Sequence, residues 1–175
     1  MKKMLVVLCA VVFSGVLTAA ESIPEKFFML KVGNTAGAEL AETEPGKITL
    51  KMVSGAKALG NYVVICHNRN TVVKPGTILS YKITPVENYA DGTHFTPAVS
   101  FIKQGEKQWI GNTAKGHWLH KGATLSFDLI KDFKVPENSN LRQIKFVLNA
   151  GKSPQGKEIK VVISDLKLTT PDVQK

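Results

Sequence analysis

The chain has 175 residues, 23 Lys and Arg against 14 Asp and Glu, with 43% hydrophobic and 21% charged residues. That balance is ordinary for one folded domain and excludes a disordered or collagen-like chain. Aromatic residues make up only 7%, so any flat stacking surface has few candidates.

Residues 1–20, MKKMLVVLCAVVFSGVLTAA, put two lysines before an apolar run and close on Thr18-Ala19-Ala20, the layout of a secretory signal peptide. The run is interrupted by Ser14 and Gly15 and is shorter than the roughly 20 apolar residues that span a bilayer. A cleaved leader is therefore expected, and with it a secreted or periplasmic protein. Cleavage removes Lys2 and Lys3, taking the formal charge from +9 to +7. Cys9 follows Leu8 in mid-run, which argues against lipidation, and its loss leaves Cys66 without an internal disulfide partner. Within Tyr62-Val63-Val64-Ile65-Cys66, that thiol reads as a small buried hydrophobe.

Beyond the leader, apolar residues recur mostly with a period of two between clusters of Gly, Pro, Asn and Asp, the pattern of half-buried strands joined by turns. Strands are predicted over 27–32, 47–53, 62–67, 77–84, 96–103, 107–110, 124–130, 142–148 and 158–168. Turns are supplied by Glu44-Pro45-Gly46, Lys74-Pro75-Gly76, Asp91-Gly92 and Ser153-Pro154-Gln155-Gly156. Ala36 to Glu44 is the nearest approach to a helix and would make a turn or two. Short strands without helical crossovers predict an all-β domain over 21–168, an antiparallel β-sandwich or barrel, followed by a frayed tail over 169–175. In the closing strand Val161 and Ile163 share one face but Leu166 and Leu168 fall on the other. A bulge near Ser164-Asp165 would restore the phase and turn Asp165 to the edge.

Several passages, in order, resemble the jelly-roll carbohydrate-binding modules of the galactose-binding-domain-like type. They are Lys74-Pro75-Gly76-Thr77-Ile78-Leu79-Ser80-Tyr81, then Phe133-Lys134-Val135-Pro136 with the small polar loop Glu137 to Asn140, then Ile144-Lys145-Phe146-Val147-Leu148, and finally Ile163-Ser164-Asp165-Leu166-Lys167-Leu168. The likeness runs from Lys47 to Leu168. It implies a jelly-roll β-sandwich of eight or nine strands that binds a polysaccharide or glycan without cleaving it. It also implies a structural calcium (Ca2+) at the closing-strand acid, here Asp165, with Glu39, Glu42 and backbone carbonyls as the available partners, since calcium takes 6–8 oxygens.

A β module holds sugar by stacking the apolar face of the ring on aromatics and meeting its hydroxyls with planar polar groups. Trp109 and Trp118 lie near turns in adjacent segments, and Tyr89 lies in a loop with Asn88 and His94; the three can form one cleft. Gln108, Asn112 and His117 would supply the polar edge. An interior role competes at each, because tryptophans flanked by Ile110 or Leu119 often fill cores. Tyr62 and Tyr81 follow strand alternation and read as core.

Other chemistries have less support. His117 and His120 are three apart, which on a strand puts them on opposite faces, and no zinc motif accompanies them or His67 and His94. Glu87, Asp91, Asp128 and Asp132 are the acids from which a glycosidase pair could be drawn, but no catalytic motif frames them. The lysines at 145, 157, 160 and 167 alternate with apolar residues as a solvated face would, with acidic glycans or anionic lipid as the functional alternative. Nucleic acid is not expected. The expected role is therefore a non-catalytic carbohydrate-binding module. The rivals are an interaction sandwich in an envelope or secreted assembly with a partner protein, and a glycoside hydrolase-like enzyme.

Overall fold

A computed structural model describes residues 18–22, 26–44, 46–56, 60–89 and 92–171. Among them there is no helix, and twelve strands form two antiparallel sheets. The first sheet holds β1 (Thr18–Ser22), β3 (Thr35–Glu44), β4 (Lys47–Ser54), β6 (Ile78–Pro85), β10 (Ala123–Asp128) and β12 (Glu158–Pro171), ordered β10-β6-β12-β4-β3 with β1 also on β12. The second holds β2 (Phe28–Val32), β5 (Tyr62–Val72), β7 (His94–Ile102), β8 (Trp109–Thr113), β9 (His117–Trp118) and β11 (Asn140–Asn149), ordered β2-β5-β11-β7-β8 with β9 also on β7. The predicted all-β sandwich is the observed fold.

Strict alternation fills the space between the sheets. From the first come Ile48, Leu50, Met52, Leu79, Tyr81, Ile83, Ile159, Val161 and Ile163; from the second, Val63, Ile65, Phe95, Val99, Phe101, Ile144, Phe146 and Leu148, all buried. The Tyr81 ring bridges the layers, edge-on to Phe146 at 4.8 Å and to Phe95 at 6.0 Å. Burial pushes the Tyr81 hydroxyl well above the ordinary tyrosine range. Each such ring removes enough apolar surface from water to contribute on the order of 2–3 kcal/mol.

The predicted phase break is present. The β12–β6 register shifts between Ser164 and Lys167, and Asp165 takes φ 53°, so Leu166 and Leu168 return to the core while Asp165 points to solvent. The Pro75-Gly76 turn also forms as expected: Gly76 has φ 80°, a region that glycine enters without steric cost, and the Thr77 amide donates to the Lys74 carbonyl at 3.0 Å.

Three expectations change. Ala36 to Glu44 is not helical; it is β3, paired with β4 through Leu40 opposite Leu50 and Glu39 opposite Lys51. A sheet edge offering a hydrogen-bonding ladder and a place for Leu40 outweighs the helix preference of Ala and Glu. The closing strand extends to Pro171, so Thr169–Pro171 is ladder and not frayed tail; 172–175 lie outside the described residues. The leader falls mostly outside the described residues as well, but Thr18, Ala19 and Ala20 lie in β1, opposite Pro171, Thr170 and Thr169.

Candidate functional site

The outward surface of the second sheet can be read row by row from its register. One end carries Tyr62, Asn149, His94 and Trp118, the other Val72, Asn140, Ile102 and Trp109. Between them lie Val64, Val147 and Thr96, then Cys66, Lys145, Ala98 and Thr113, then Asn68, Gln143, Ser100 and Gly111. A surface bounded by two indoles and filled mainly by amides, hydroxyls and bases has the make-up of a polar-ligand platform, not of a protein core.

The two tryptophans share this surface because β8 and β9 are halves of one edge strand on β7. Trp109 stands opposite Ile102, and Trp118 opposite His94. Their neighbours Ile110 and Leu119 turn inward, Leu119 completely, so alternation drives both indoles out, to 54% and 56% exposure. Eight residues of β7 separate the two rows, about 27 Å at strand rise, so the indoles are two stations on one face and not two walls of one cleft.

At the Trp118 station the imidazole of His94 meets the indole edge-on, centroids 5.4 Å apart. His94 Nδ1 lies 3.2 Å from the Gly92 carbonyl; donation there leaves Nε2 as an acceptor. Trp118, His94, Thr96, Lys115 and Gly116 line a shallow depression of about 320 Å³. The edge bulges out between the two halves, and a Cβ on Gly116 would sit 2.6 Å from the Thr96 hydroxyl, so only glycine fits there without moving Thr96.

In the middle of the sheet a second irregularity gathers polar groups. Leu141 and Ile144 both point inward, which leaves Arg142 and Gln143 together on the outside at a register shift. The Arg142 guanidinium donates to Asn70 at 2.8 Å, Gln143 to Asn68 at 3.1 Å, and Lys145 Nζ to the Ser100 hydroxyl at 2.6 Å. Each amide spends one polar atom on the sheet and keeps capacity for a ligand hydroxyl. Beside them Val72, Ile102, Asn140, Arg142 and the 103–106 turn border a depression of about 440 Å³. Of these polar residues the sequence singles out Lys145 alone, among the lysines with acidic glycans as an alternative role; for Arg142, Gln143, Asn68, Asn70 and Ser100 the one available signal is the three-residue step from Leu141 to Ile144 in an otherwise alternating strand.

The expected site residues do not all assemble. Tyr89 is 4% exposed, its hydroxyl accepting from the Lys160 amide at 2.8 Å, so it is a buried tie to β12 and not a stacking platform. Burial, ahead of the other influences on it, raises its ionisation above the usual tyrosine range. Asn112 stands opposite core residue Val99 and donates to the Phe133 carbonyl at 2.9 Å, away from the outer surface. His117 stands opposite buried Phe95, with Nε2 3.2 Å from the Lys121 carbonyl. Because the chain turns after Trp118, the His117 and His120 rings stack at 6.3 Å, contrary to the opposite-face expectation. Gln108 is exposed beside Trp109.

The acids are elsewhere. Asp128 accepts from the Ile130 and Lys131 amides, Asp132 from the Asp128 amide, and Glu87 pairs with Lys157, all turn or surface roles; Asp91 lies outside the described residues. Asp165 accepts from Ser164 at 3.3 Å, and among the described residues no three His, Cys, Asp or Glu gather as metal ligands. Glu39 and Glu42 are exposed on β3. One exposed carboxylate without such a group does not make a cage of 6–8 oxygens, so these residues do not fit a structural calcium.

No protein-family model matches this sequence, and no curated protein matches it. Solved structures share its fold. One is of carbohydrate-binding modules of the β-sandwich superfamily with promiscuous specificity: TM-score 0.50, 14% identity, 87% of this chain covered. This chain spans 56% of that one's length. A CBM4 structure gives TM-score 0.50 and 14% identity over 85% of this chain and 88% of its own. The CBM22-1 and GH10 modules of Clostridium thermocellum xylanase 10B, complexed with xylohexaose, give 0.52 and 11% over 91% of this chain and 29% of theirs. The chain has the β-sandwich fold of carbohydrate-binding modules. At these identities the likeness speaks to the fold alone.

Proposed function

We propose that the protein is an exported, non-catalytic carbohydrate-binding module whose glycan lies on the outer surface of the second sheet, stacked on Trp118 and reaching toward Trp109. The observation that carries this reading is the exposure of both indoles on one face, with His94 beside Trp118, Thr96 in a row between the two, and Gln143 and Asn68 further in across the sheet. Apolar rings that stay exposed beside hydrogen-bonding groups suit a ligand with alternating C–H and hydroxyl surface. The shared fold is consistent with it. Export rests on the leader, and N-terminal sequencing of the exported protein is expected to begin at Glu21.

The test is affinity electrophoresis of the exported protein through gels containing soluble polysaccharides. Retardation by at least one glycan, weakened in Trp118→Ala and further in the double variant with Trp109→Ala, is the expected result. Retardation unchanged in the double variant, or absent with every glycan, would overturn the reading.

A second reading has its own observation. Phe28, Leu30 and Val32 on edge strand β2 are 39–45% exposed; with Phe28 opposite Cys66 and Val32 opposite buried Val63 they flank the strand's free border rather than share one face, an apolar border suited to a partner protein in an envelope or secreted assembly. It predicts that Leu30→Ser abolishes co-purification of a partner while glycan binding survives.

A further inference from the structure

Resting on the reading that the second sheet holds a glycan, we infer that the glycan is acidic, a polyuronate whose carboxylates are received by Arg142 and Lys145. The strands of the second sheet contain no Asp or Glu at all, yet carry Lys31, Arg69, Arg142 and Lys145. The strands of the first sheet hold Glu21, Glu39, Glu42, Glu44, Asp128, Glu158 and Asp165 beside their lysines. Charge is thus sorted by layer within the strands; the nearest acid on the indole layer, Glu106 in the β7–β8 turn beside Arg142, is paired with Lys103 at 3.6 Å.

The two central bases are also held by neutral atoms. Arg142 is anchored by the Asn70 amide oxygen and Lys145 by the Ser100 hydroxyl, and among the described residues neither forms an ion pair with a carboxylate. Their positive charge is therefore oriented without being neutralised. Arg142 Nε is buried and has no hydrogen-bond partner, an orphaned donor whose pairing would be worth more than that of an exposed group. Both bases sit on β11, the central strand, with Trp118 toward one end of the face and Trp109 at the other. They lie two strands inward from the edge that carries both indoles, about 10 Å at the spacing of neighbouring strands, so a chain that stacks on either indole and runs inward across the sheet passes over them. A carboxylate is a planar anion that a guanidinium fork can meet with two parallel hydrogen bonds, which selects a uronate over a neutral sugar.

The experiment compares gel retardation of the exported protein by polygalacturonate and by its fully methyl-esterified form, which keeps the sugar and removes the charge. Expected are at least tenfold stronger binding to the acid form, at least a tenfold loss of it in Arg142→Gln/Lys145→Met, and steep weakening with added salt. A control, Lys82→Gln/Lys167→Gln, removes the same charge from the first sheet and is expected to leave binding unchanged. Equal binding to acid and ester, equal losses in the two double variants, or equal binding to dextran sulfate or to phosphatidylglycerol vesicles would overturn the inference. Binding to neutral glycans that depends on Trp118 would leave the broader reading standing; no binding to any polysaccharide would remove both.

Discussion

Trp118 and His94 face each other across the edge pair of the second sheet, indole against imidazole at 69° between ring planes. The histidine's tie to Gly92 fixes the wall against which the indole rests. Trp118→Ala is expected to weaken glycan retention at least tenfold, about 1.4 kcal/mol. The melting temperature should barely move, because an exposed side chain contributes within about 0.5 kcal/mol. His94→Ala should weaken retention less. A large drop in melting temperature for Trp118→Ala would mean that the ring is structural.

Tyr89 provides the contrasting case. Its hydroxyl receives the Lys160 amide in a buried setting, and Tyr89→Phe orphans that donor. The expected cost is about 1–3 kcal/mol of stability, read by urea denaturation, with glycan retention unchanged. A loss of retention without a loss of stability would restore Tyr89 to the binding surface.

Four groups among the described residues have ionisation displaced upward. Burial raises the Cys66 thiol from 9.0, the Tyr81 and Tyr89 hydroxyls from 10.0, and the hydrogen bond with Glu158 raises Lys51 from 10.5. For each, the unfolded chain loses its proton first as the solution becomes alkaline. The stability they contribute is complete below the unfolded values and is lost as pH rises through them toward the folded ones. Melting temperature is therefore expected to fall above about pH 9, where Cys66 leads, and Cys66→Ala should delay that fall. Iodoacetamide at pH 8 should label Cys66 only after unfolding.

Asp165 tests the metal question and the bulge together. Its φ of 53° costs an L-residue roughly 1 kcal/mol relative to glycine, and among the described residues its carboxylate meets only Ser164. Asp165→Gly is expected to raise the melting temperature by a few degrees, equally in EDTA and in calcium. A melting temperature that rises with calcium in the parent protein and not in Asp165→Gly would establish a metal site.

Much of the architecture was legible because a half-buried sheet writes its period into the chain. Alternation located the strands around Ile83, Leu125 and Ile163, and the out-of-step Leu166 gave away the bulge at Asp165. β3 was misread because Ala and Glu favour a helix and only the neighbouring β4 makes a strand of them. The sequence reading ends β5 at His67, where the apolar run gives way to the polar Asn68-Arg69-Asn70, whereas pairing with β11 holds that segment extended to Val72. The exposed indoles could be named as candidates from their residue type alone. Asn68 beside Gln143, and Arg142 beside Asn70, could not be, since those meetings arise from strand order and a register shift spanning more than seventy residues of chain.

Both margins of the second sheet are irregular: β2 slips register at Leu30, and the opposite border is interrupted between Thr113 and His117. Neither margin offers a neighbouring copy an unbroken row of amides and carbonyls to zip onto. Many copies could therefore crowd side by side along one polymer and remain separate molecules.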